Sequence, residues 1–119
     1  MDKKMGKKVA VVVRTGPFNT LKSVEAFRMG VGLTLEGNHV DILLMDDGVW
    51  NALRATSGQL ERPDAEQFIR SLEICGIGAY VDSERLPSAY HPKIREGIGR
   101  KTKKELVRMI DQAEVVIPY

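Results

Sequence analysis

The side chain best suited to covalent chemistry in this sequence is Cys75, the only cysteine among 119 residues. One cysteine cannot form an internal disulfide, and no further ligands stand at the spacings of a zinc site, so Cys75 can act only as a thiol. Gly76 and Gly78 follow it and would let a partner's sulfur or a peptide tail approach closely. At a helix N-terminus, the local field would favour the nucleophilic thiolate. The competing interpretation is packing, because cysteine is among the most often buried residues.

Two polar loops are the next candidates. The segment from Thr15 to Asn19 could cradle an anion at the start of a helix. It lacks the glycine triplet of a dinucleotide site and the Gly-Lys-Ser/Thr of a P-loop, so a turn and helix cap is the preferred interpretation. Asp46 and Asp47 could act as acid, base or metal ligands, but adjacent aspartates before a glycine such as Gly48 are more often turn residues. No metal site is expected, because the sequence offers too few ligands.

Trp50 and His91 have roles that the sequence leaves open. Trp50 could line a pocket or form a subunit contact, and the subunit contact is preferred. His91 lies between Tyr90 and Pro92 and could assist Cys75 or simply belong to a loop, which is the preferred interpretation.

The order of elements predicts the fold class. Strands that alternate with helices through short connections imply a mainly parallel sheet with helices on both faces. We predict an α/β protein, a three-layer α/β/α sandwich with a mainly parallel, five-stranded, flavodoxin-like sheet, in a single domain over residues 1–119. The predicted strands are Lys8–Arg14, His39–Met45, Leu72–Cys75, a strand near Lys93–Arg95, and Glu114–Pro118. The predicted helices are Leu21–Leu35 closed by Gly37, one starting near Val49, Ala65–Ser71, Ala79–Leu86 and Thr102–Gln112.

Composition excludes several classes of protein. The net charge is +2, and the basic residues near the N-terminus and around Arg100 to Lys104 are not interleaved with aromatic side chains. Direct nucleic-acid binding is therefore not expected. No apolar run could span a membrane, and the N-terminus lacks a signal-peptide pattern, so we expect a cytoplasmic location.

The predicted topology brings the candidates together. In open parallel sheets, ligands bind beyond the carboxyl ends of the strands, near the point where strand order reverses. Cys75, as the last residue of the third predicted strand, would lie there, where it could be either a reactive thiol or a packed one. The residues predicted to line its pocket are Thr15, Gly16, Pro17, Asn19, Asp47, Gly48, Trp50, Gly76 and Gly78.

Several short segments, taken in order, resemble one known family. The similar segments are Val9–Pro17, Glu36–Val40, Asp47–Asn51 and Gln112–Val116. Cys75 falls where DsrE and TusD proteins carry their sulfur-accepting cysteine. The chain thus resembles the DsrE/DsrF/TusD-like sulfur-relay proteins. One departure is Asp82-Ser83-Glu84-Arg85, which stands where relay members carry a basic turn.

The resemblance implies a DsrE-like fold and a persulfide carrier. Cys75 would accept sulfur from a donor protein, hold it as Cys-S-SH and pass it to an acceptor protein. The resemblance also implies a homo-oligomer, either a trimer or a hexamer, and no cofactor is expected. The main alternative is a non-catalytic oligomeric domain that binds a small anion, a nucleotide or a protein partner, with Cys75 structural. A flavin carrier is a third, less favoured interpretation.

Overall fold

A computed structural model describes residues 6–16, 20–53, 70 and 72–119, with the side chains of the first helix from residue 25 onward. The strands of its sheet are β1 (Lys8–Val13), β2 (His39–Leu44), β3 (Gly78–Asp82), β4 (Ile98–Lys101) and β5 (Val115–Pro118). They lie in the order β4-β3-β2-β1-β5, and every neighbouring pair is parallel. The predicted α/β class with a five-stranded parallel sheet is confirmed.

The valine-rich β1 lies inside the sheet because both of its faces are covered. Val9, Val11 and Val13 belong to the core on one face, whereas Ala10 and Val12 belong to the core on the other. Alternate side chains of a strand point to opposite faces, so an uninterrupted apolar run suits a strand that is buried on both sides. This run therefore produces the three-layer arrangement.

Two helices cover the opposite faces of the sheet. Helix α1 (Thr20–Leu35) packs on the face of Val11 through Ala26 and Phe27. Helix α2 (Lys103–Gln112) packs on the other face through Leu106. Each helix starts after the carboxyl end of one strand and ends before the amino end of another, as parallel crossovers require. The helix N-termini therefore lie near the carboxyl ends of the strands.

The predicted third strand is wrong. Residues 72–75 are helical, and β3 lies further along the chain. Gly76 adopts a left-handed φ of 74° and ends this helix, and the N–H groups of Gly76 and Ile77 donate to carbonyl oxygens of its last turn. A four-residue apolar run cannot be assigned to a strand or a helix by periodicity alone, and here the glycine begins a new strand rather than closing one.

Two further predicted elements differ from the structure. The predicted strand near Lys93–Arg95 is wrong, because a 3₁₀ helix at Ser88–Lys93 occupies the chain before β4. The predicted helix at Ala79–Leu86 is also wrong, because β3 takes up its first half. The helix expected near Val49 is a 3₁₀ helix that begins earlier, at Asp46–Ala52.

The longer elements agree with the sequence. The first helix ends at Leu35, and Gly37 follows it with a left-handed φ of 93°, as predicted. The last helix is capped by Thr102, whose side chain accepts the N–H of Glu105. The predicted helix at Ala65–Ser71 lies outside the described residues except for residue 70, which is helical.

Candidate functional site

An open cleft lies at the edge of the sheet where the strands' carboxyl ends meet, which we call the carboxyl edge. Its volume is about 590 Å³. β1 lies between β2, which follows it in the chain, and β5, which comes last, so the cleft is at the point where strand order reverses. The cleft is lined by Arg14, Thr15, Asp46, Asp47, Arg85, Pro118 and Tyr119.

Arg14 brings one positive charge to the cleft from the residue after β1. Its Nε donates to Oδ2 of Asp46 at 2.7 Å. Asp46 adopts a left-handed φ of 51°, a conformation that aspartate tolerates better than most residues. The two side chains are 65% and 47% exposed, so this solvated pair contributes at most about 1 kcal/mol. Because a guanidinium has five N–H donors, Arg14 retains donors for an added anion.

Arg85 brings a second positive charge from the turn after β3. The buried Asp82 ends β3, and its Oδ1 accepts the backbone N–H groups of Glu84 at 3.0 Å and Arg85 at 3.2 Å. These bonds fix the backbone from which the Arg85 side chain extends. Its Nη2 donates to Oδ1 of Asp47 at 3.0 Å. The buried aspartate thus positions the second cation at the cleft.

His91 also stabilises the turn after β3. Its Nε2 lies 3.0 Å from the carbonyl oxygens of both Ser83 and Leu86. Because carbonyl oxygens only accept hydrogen bonds, Nε2 carries the proton and donates to them. This contact ties His91 to the carboxyl edge, so the geometry favours the structural interpretation of His91 over assistance to Cys75.

Close contacts join the loops that follow β1 and β2. The Thr15 hydroxyl donates to the main-chain oxygen of Tyr119 at 2.7 Å, and Nδ2 of Asn51 donates to the carbonyl oxygen of Thr15 at 2.9 Å. Gly48 lies so close to the carbonyl oxygen of Val13 that any Cβ there would overlap it. The glycine lets the second loop approach the end of β1, which brings both loops to one cleft.

Trp50, which was predicted to line the pocket, is not among the residues that line the cleft, and it joins two short helices instead. Its ring meets Tyr90 edge-on, with ring centroids 5.1 Å apart and planes at 85°. It also packs against the core on the α1 face. The N–H of Arg95 donates to the carbonyl oxygen of Ala52 at 2.8 Å and reinforces the same junction. A subunit contact at Trp50 stays a prediction.

Cys75 lies at the opposite edge of the sheet, where the strands' amino ends meet, which we call the amino edge. It is the last helical residue before Gly76, and β3 begins three residues after it. Its thiol is free, partly buried and packed against the core on the α1 face. The five residues of β3 extend about 13 Å toward the carboxyl edge. The predicted placement of Cys75 after a strand and before a helix is therefore wrong, although its catalytic role stays a prediction.

The structure brings together only part of the predicted pocket. Thr15 and Asp47 line the cleft, while Gly16 and Gly48 lie in the loops that form it. Gly76 and Gly78 accompany Cys75 at the amino edge, and Pro17 and Asn19 lie outside the described residues.

Sequence reasoning missed both arginines of the cleft. Arg14 directly follows a buried strand, and this position alone could have identified it as a candidate site residue. Arg85 could be found only after β3 was located correctly, because its place depends on which residue ends that strand.

Two negative findings concern the described residues. Within residues 6–16, 20–53, 70 and 72–119, no three His, Cys, Asp or Glu side chains form a group that could hold a metal ion. In the same part of the chain, no helix has the length and apolar character needed to cross a membrane.

Comparisons with known proteins identify related sequences and folds. A family model described as the DsrE/DsrF-like family matches residues 7–117. A search of curated proteins finds no match. The crystal structure of the ychN protein from E. coli is similar, with a TM-score of 0.75 and 18% sequence identity, over 95% of this chain and 99% of that chain. At this identity, the similarity to ychN shows the fold alone.

Proposed function

Since the chain belongs to the DsrE/DsrF-like family, a family linked to sulfur relay, we propose that it is a non-catalytic binding domain whose carboxyl-edge cleft takes a small anion. Inorganic phosphate and the phosphate group of a nucleotide are the ligands that fit this chemistry. The observation that carries the proposal is the convergence of Arg14 and Arg85 on a cleft remote from the chain's only thiol. In this proposal, Cys75 is structural.

The residue at the end of β3 supports this choice over sulfur transfer. A sulfur-accepting cysteine could serve this cleft from the carboxyl end of β3, but in this chain β3 ends with Asp82. A carboxylate cannot carry a persulfide. Asp82 instead accepts two backbone N–H groups and fixes the turn that carries Arg85.

The electrostatics of the cleft suit an anion that exchanges with the aspartates. The N-terminus of α1 lies at this edge and adds a partial positive charge to a cleft with two arginines and two aspartates. Exposed ion pairs contribute little, so each arginine can turn from its aspartate to a phosphate at small cost. Guanidinium groups match phosphate oxygens through paired hydrogen bonds.

Phosphate titration of the protein, followed by NMR amide shifts and calorimetry, tests this proposal. Arg14→Gln or Arg85→Gln should weaken binding about tenfold, because each removes a charge-assisted hydrogen bond. Asp47→Asn should strengthen binding, because it removes the group that competes for Arg85. Lys7→Gln is the charge-matched control, since Lys7 precedes the amino end of β1. No saturable binding, or equal weakening by the Lys7 variant, would overturn the proposal.

A persulfide carrier on Cys75 remains the second candidate, because family membership supports sulfur relay in general. The Cys75 thiolate would attack the outer sulfur of a donor persulfide, forming Cys-S-SH and releasing the donor thiolate. A carrier should gain this sulfur faster when folded than when unfolded in denaturant and should pass it to an acceptor thiol. Intact mass measured over time reports both steps, and Cys75→Ser is the control. Rapid gain and transfer by the folded chain would contradict a structural Cys75.

A further inference from the structure

The carboxyl-edge cleft is larger than a bare phosphate requires. Its volume of about 590 Å³ falls in the range of about 300–1,000 Å³ that is typical of sites for whole small molecules. Such sites combine apolar or aromatic walls with a few polar groups that fix the orientation of the ligand. The arginines and aspartates supply the polar groups, and Pro118 and Tyr119 supply an apolar and aromatic wall. The cleft therefore has room for an organic group attached to the phosphate.

The backbone of Tyr119 is fixed at the cleft by hydrogen bonds to the end of β1. Pro118 lies opposite Val12 in the sheet and has no N–H. The N–H of Tyr119 donates to the carbonyl oxygen of Val12 instead, at 2.7 Å. The main-chain oxygen of Tyr119 accepts the Thr15 hydroxyl at 2.7 Å and the N–H of Arg14 at 3.4 Å. Because its side chain also packs against the core on the α1 face, Tyr119 provides a fixed aromatic wall.

The side chains that line the cleft follow the order of the strands. β3, β2, β1 and β5 are successive neighbours in the sheet. The order along the carboxyl edge is therefore Arg85 after β3, Asp46 and Asp47 after β2, Arg14 after β1 and Tyr119 after β5. Neighbouring strands lie about 4.8 Å apart, so a phosphate held between the two arginines would lie roughly 5–10 Å from the tyrosine. A ribose can bridge this separation.

A nucleotide carries chemical groups that match this order. Its phosphate pairs with guanidinium groups, its ribose hydroxyls can donate to a carboxylate, and its planar base can stack on an aromatic ring. An inorganic phosphate is repelled by Asp46 and Asp47 and makes no use of the aromatic wall. The combination of arginines, aspartates and a tyrosine around one cleft therefore suits a nucleotide better than a bare anion.

We propose that the ligand of the cleft is a nucleotide whose phosphate binds Arg14 and Arg85 and whose base stacks on Tyr119. This inference rests on the proposed anion site, to which it adds the class of ligand and the residue that selects it. Stacking accepts any base, because every base has a π face, so Tyr119 selects nucleotides as a class rather than one base.

Calorimetric titration with three compounds tests the class of ligand. Adenosine monophosphate should bind at least tenfold more tightly than ribose 5-phosphate, which carries the sugar and phosphate without the base. Inorganic phosphate should bind no more tightly than ribose 5-phosphate. Equal affinity for adenosine monophosphate and ribose 5-phosphate would overturn this inference and leave the anion site standing. No saturable binding of any of the three would overturn both proposals.

Substitution of Tyr119 tests the position of the base. Tyr119→Leu should weaken binding of adenosine monophosphate about tenfold, because it removes the ring while keeping an apolar side chain against the core. Tyr119→Phe keeps the ring and should retain the wild-type affinity. The readout is the ratio of the affinities for adenosine monophosphate and ribose 5-phosphate, because a merely structural change would lower both alike. Tyr90→Leu is the matched control, since Tyr90 contacts Trp50 and is not among the described residues that line the cleft.

NMR of the complex with adenosine monophosphate reports the stacking contact directly. Nuclear Overhauser effects should join the base protons to the ring protons of Tyr119 in the wild-type chain and in Tyr90→Leu. An unchanged affinity ratio in Tyr119→Leu, an equal fall of the ratio in Tyr90→Leu, or a saturated complex without these effects would overturn the inference.

Discussion

The two edges of the same sheet differ in the charges and helix ends that they present. At the carboxyl edge, α1 and α2 begin, and two arginines meet two aspartates around an open cleft. At the amino edge, α1 and the helical residues 72–75 end, and Gly37 and Gly76 close them in left-handed conformations. Helix N-termini carry partial positive charge and C-termini carry partial negative charge. The carboxyl edge therefore favours anions, and the amino edge does not.

This difference bears directly on the candidate chemistry. The chain's only thiol lies at the amino edge, where helices end, whereas the cations lie at the carboxyl edge, where helices begin. One sheet thus keeps a candidate nucleophile and a candidate anion site apart. If the two edges are independent, a substitution at one edge should leave the properties of the other unchanged.

Gly48→Ala should disrupt the carboxyl edge most strongly. The added methyl would overlap the carbonyl oxygen of Val13, so the second loop must move away from β1. We expect the free energy of unfolding to fall by about 3 kcal/mol, as for overpacked sites, and phosphate binding to weaken with it. Urea denaturation and phosphate titration measure the two effects. Unchanged stability would contradict the close approach at Gly48.

Gly76→Ala should destabilise the amino edge by a smaller amount and leave the cleft intact. No atom crowds this position, so the penalty is the left-handed φ of 74°, about 1.5 kcal/mol for a residue with a side chain. Urea denaturation checks the loss, and Gly76→Asn is the matched control because asparagine tolerates this conformation better. A change in phosphate affinity would show that the two edges are coupled.

The start of α2 should make stability depend on pH. The backbone N–H of Thr102 donates to Oε1 of Glu105 at 2.9 Å, and this bond holds the pKa of Glu105 below its ordinary value of 4.5. A carboxyl group whose pKa is lower in the folded state stabilises the fold above its unfolded pKa. That contribution is lost as the pH falls from the ordinary pKa of a glutamate to below the lower pKa that Glu105 has in the folded chain.

Comparison with Glu105→Gln isolates this contribution. The wild-type chain should have a higher Tm than the variant at neutral pH, and the difference should shrink as the pH is lowered through the acid range. Calorimetry at a series of pH values provides the measurement. A Tm difference that grows toward acid pH would contradict a lowered pKa of Glu105 in the folded chain.

Cys75→Ser should have the smallest effect if the thiol is structural. The side chain is only partly buried, so its replacement should change the free energy of unfolding by about 0.5 kcal/mol or less. Phosphate affinity at the opposite edge should not change. Denaturation and titration of the same variant check both expectations, and weaker phosphate binding would mean that Cys75 communicates with the cleft.

The parts of the fold that the sequence predicted correctly are the long and strongly patterned ones. The valine run of β1 and the apolar run of β2 are typical of buried strands, and Gly37 marks the end of α1. Thr102 and Glu105 form a capping box that fixes the start of α2. The short segment at residues 72–75 carried no comparable signal, because four residues satisfy a strand and a helical turn equally well.

The sequence predicted where the candidate site lies but not the arginines that line it. Thr15 and Asp47 follow strands whose ends are evident in the sequence, so their convergence could be expected. The ion pair of Arg85 with Asp47 joins residues that are 38 positions apart and depends on where β3 ends. The assignment of a single short element thus decided which side chains reach the cleft.

The sequence by itself determined the α/β class, the parallel order of its longest strands and the convergence of the loops after β1 and β2 at the carboxyl edge, because these follow from apolar periodicity and chain direction. Only the tertiary structure decided that Cys75 lies at the amino edge and that Arg14 and Arg85 meet the two aspartates. The physical reason is that a strand has two ends on opposite edges of the sheet. Whether a residue precedes or follows its strand therefore moves it across the molecule.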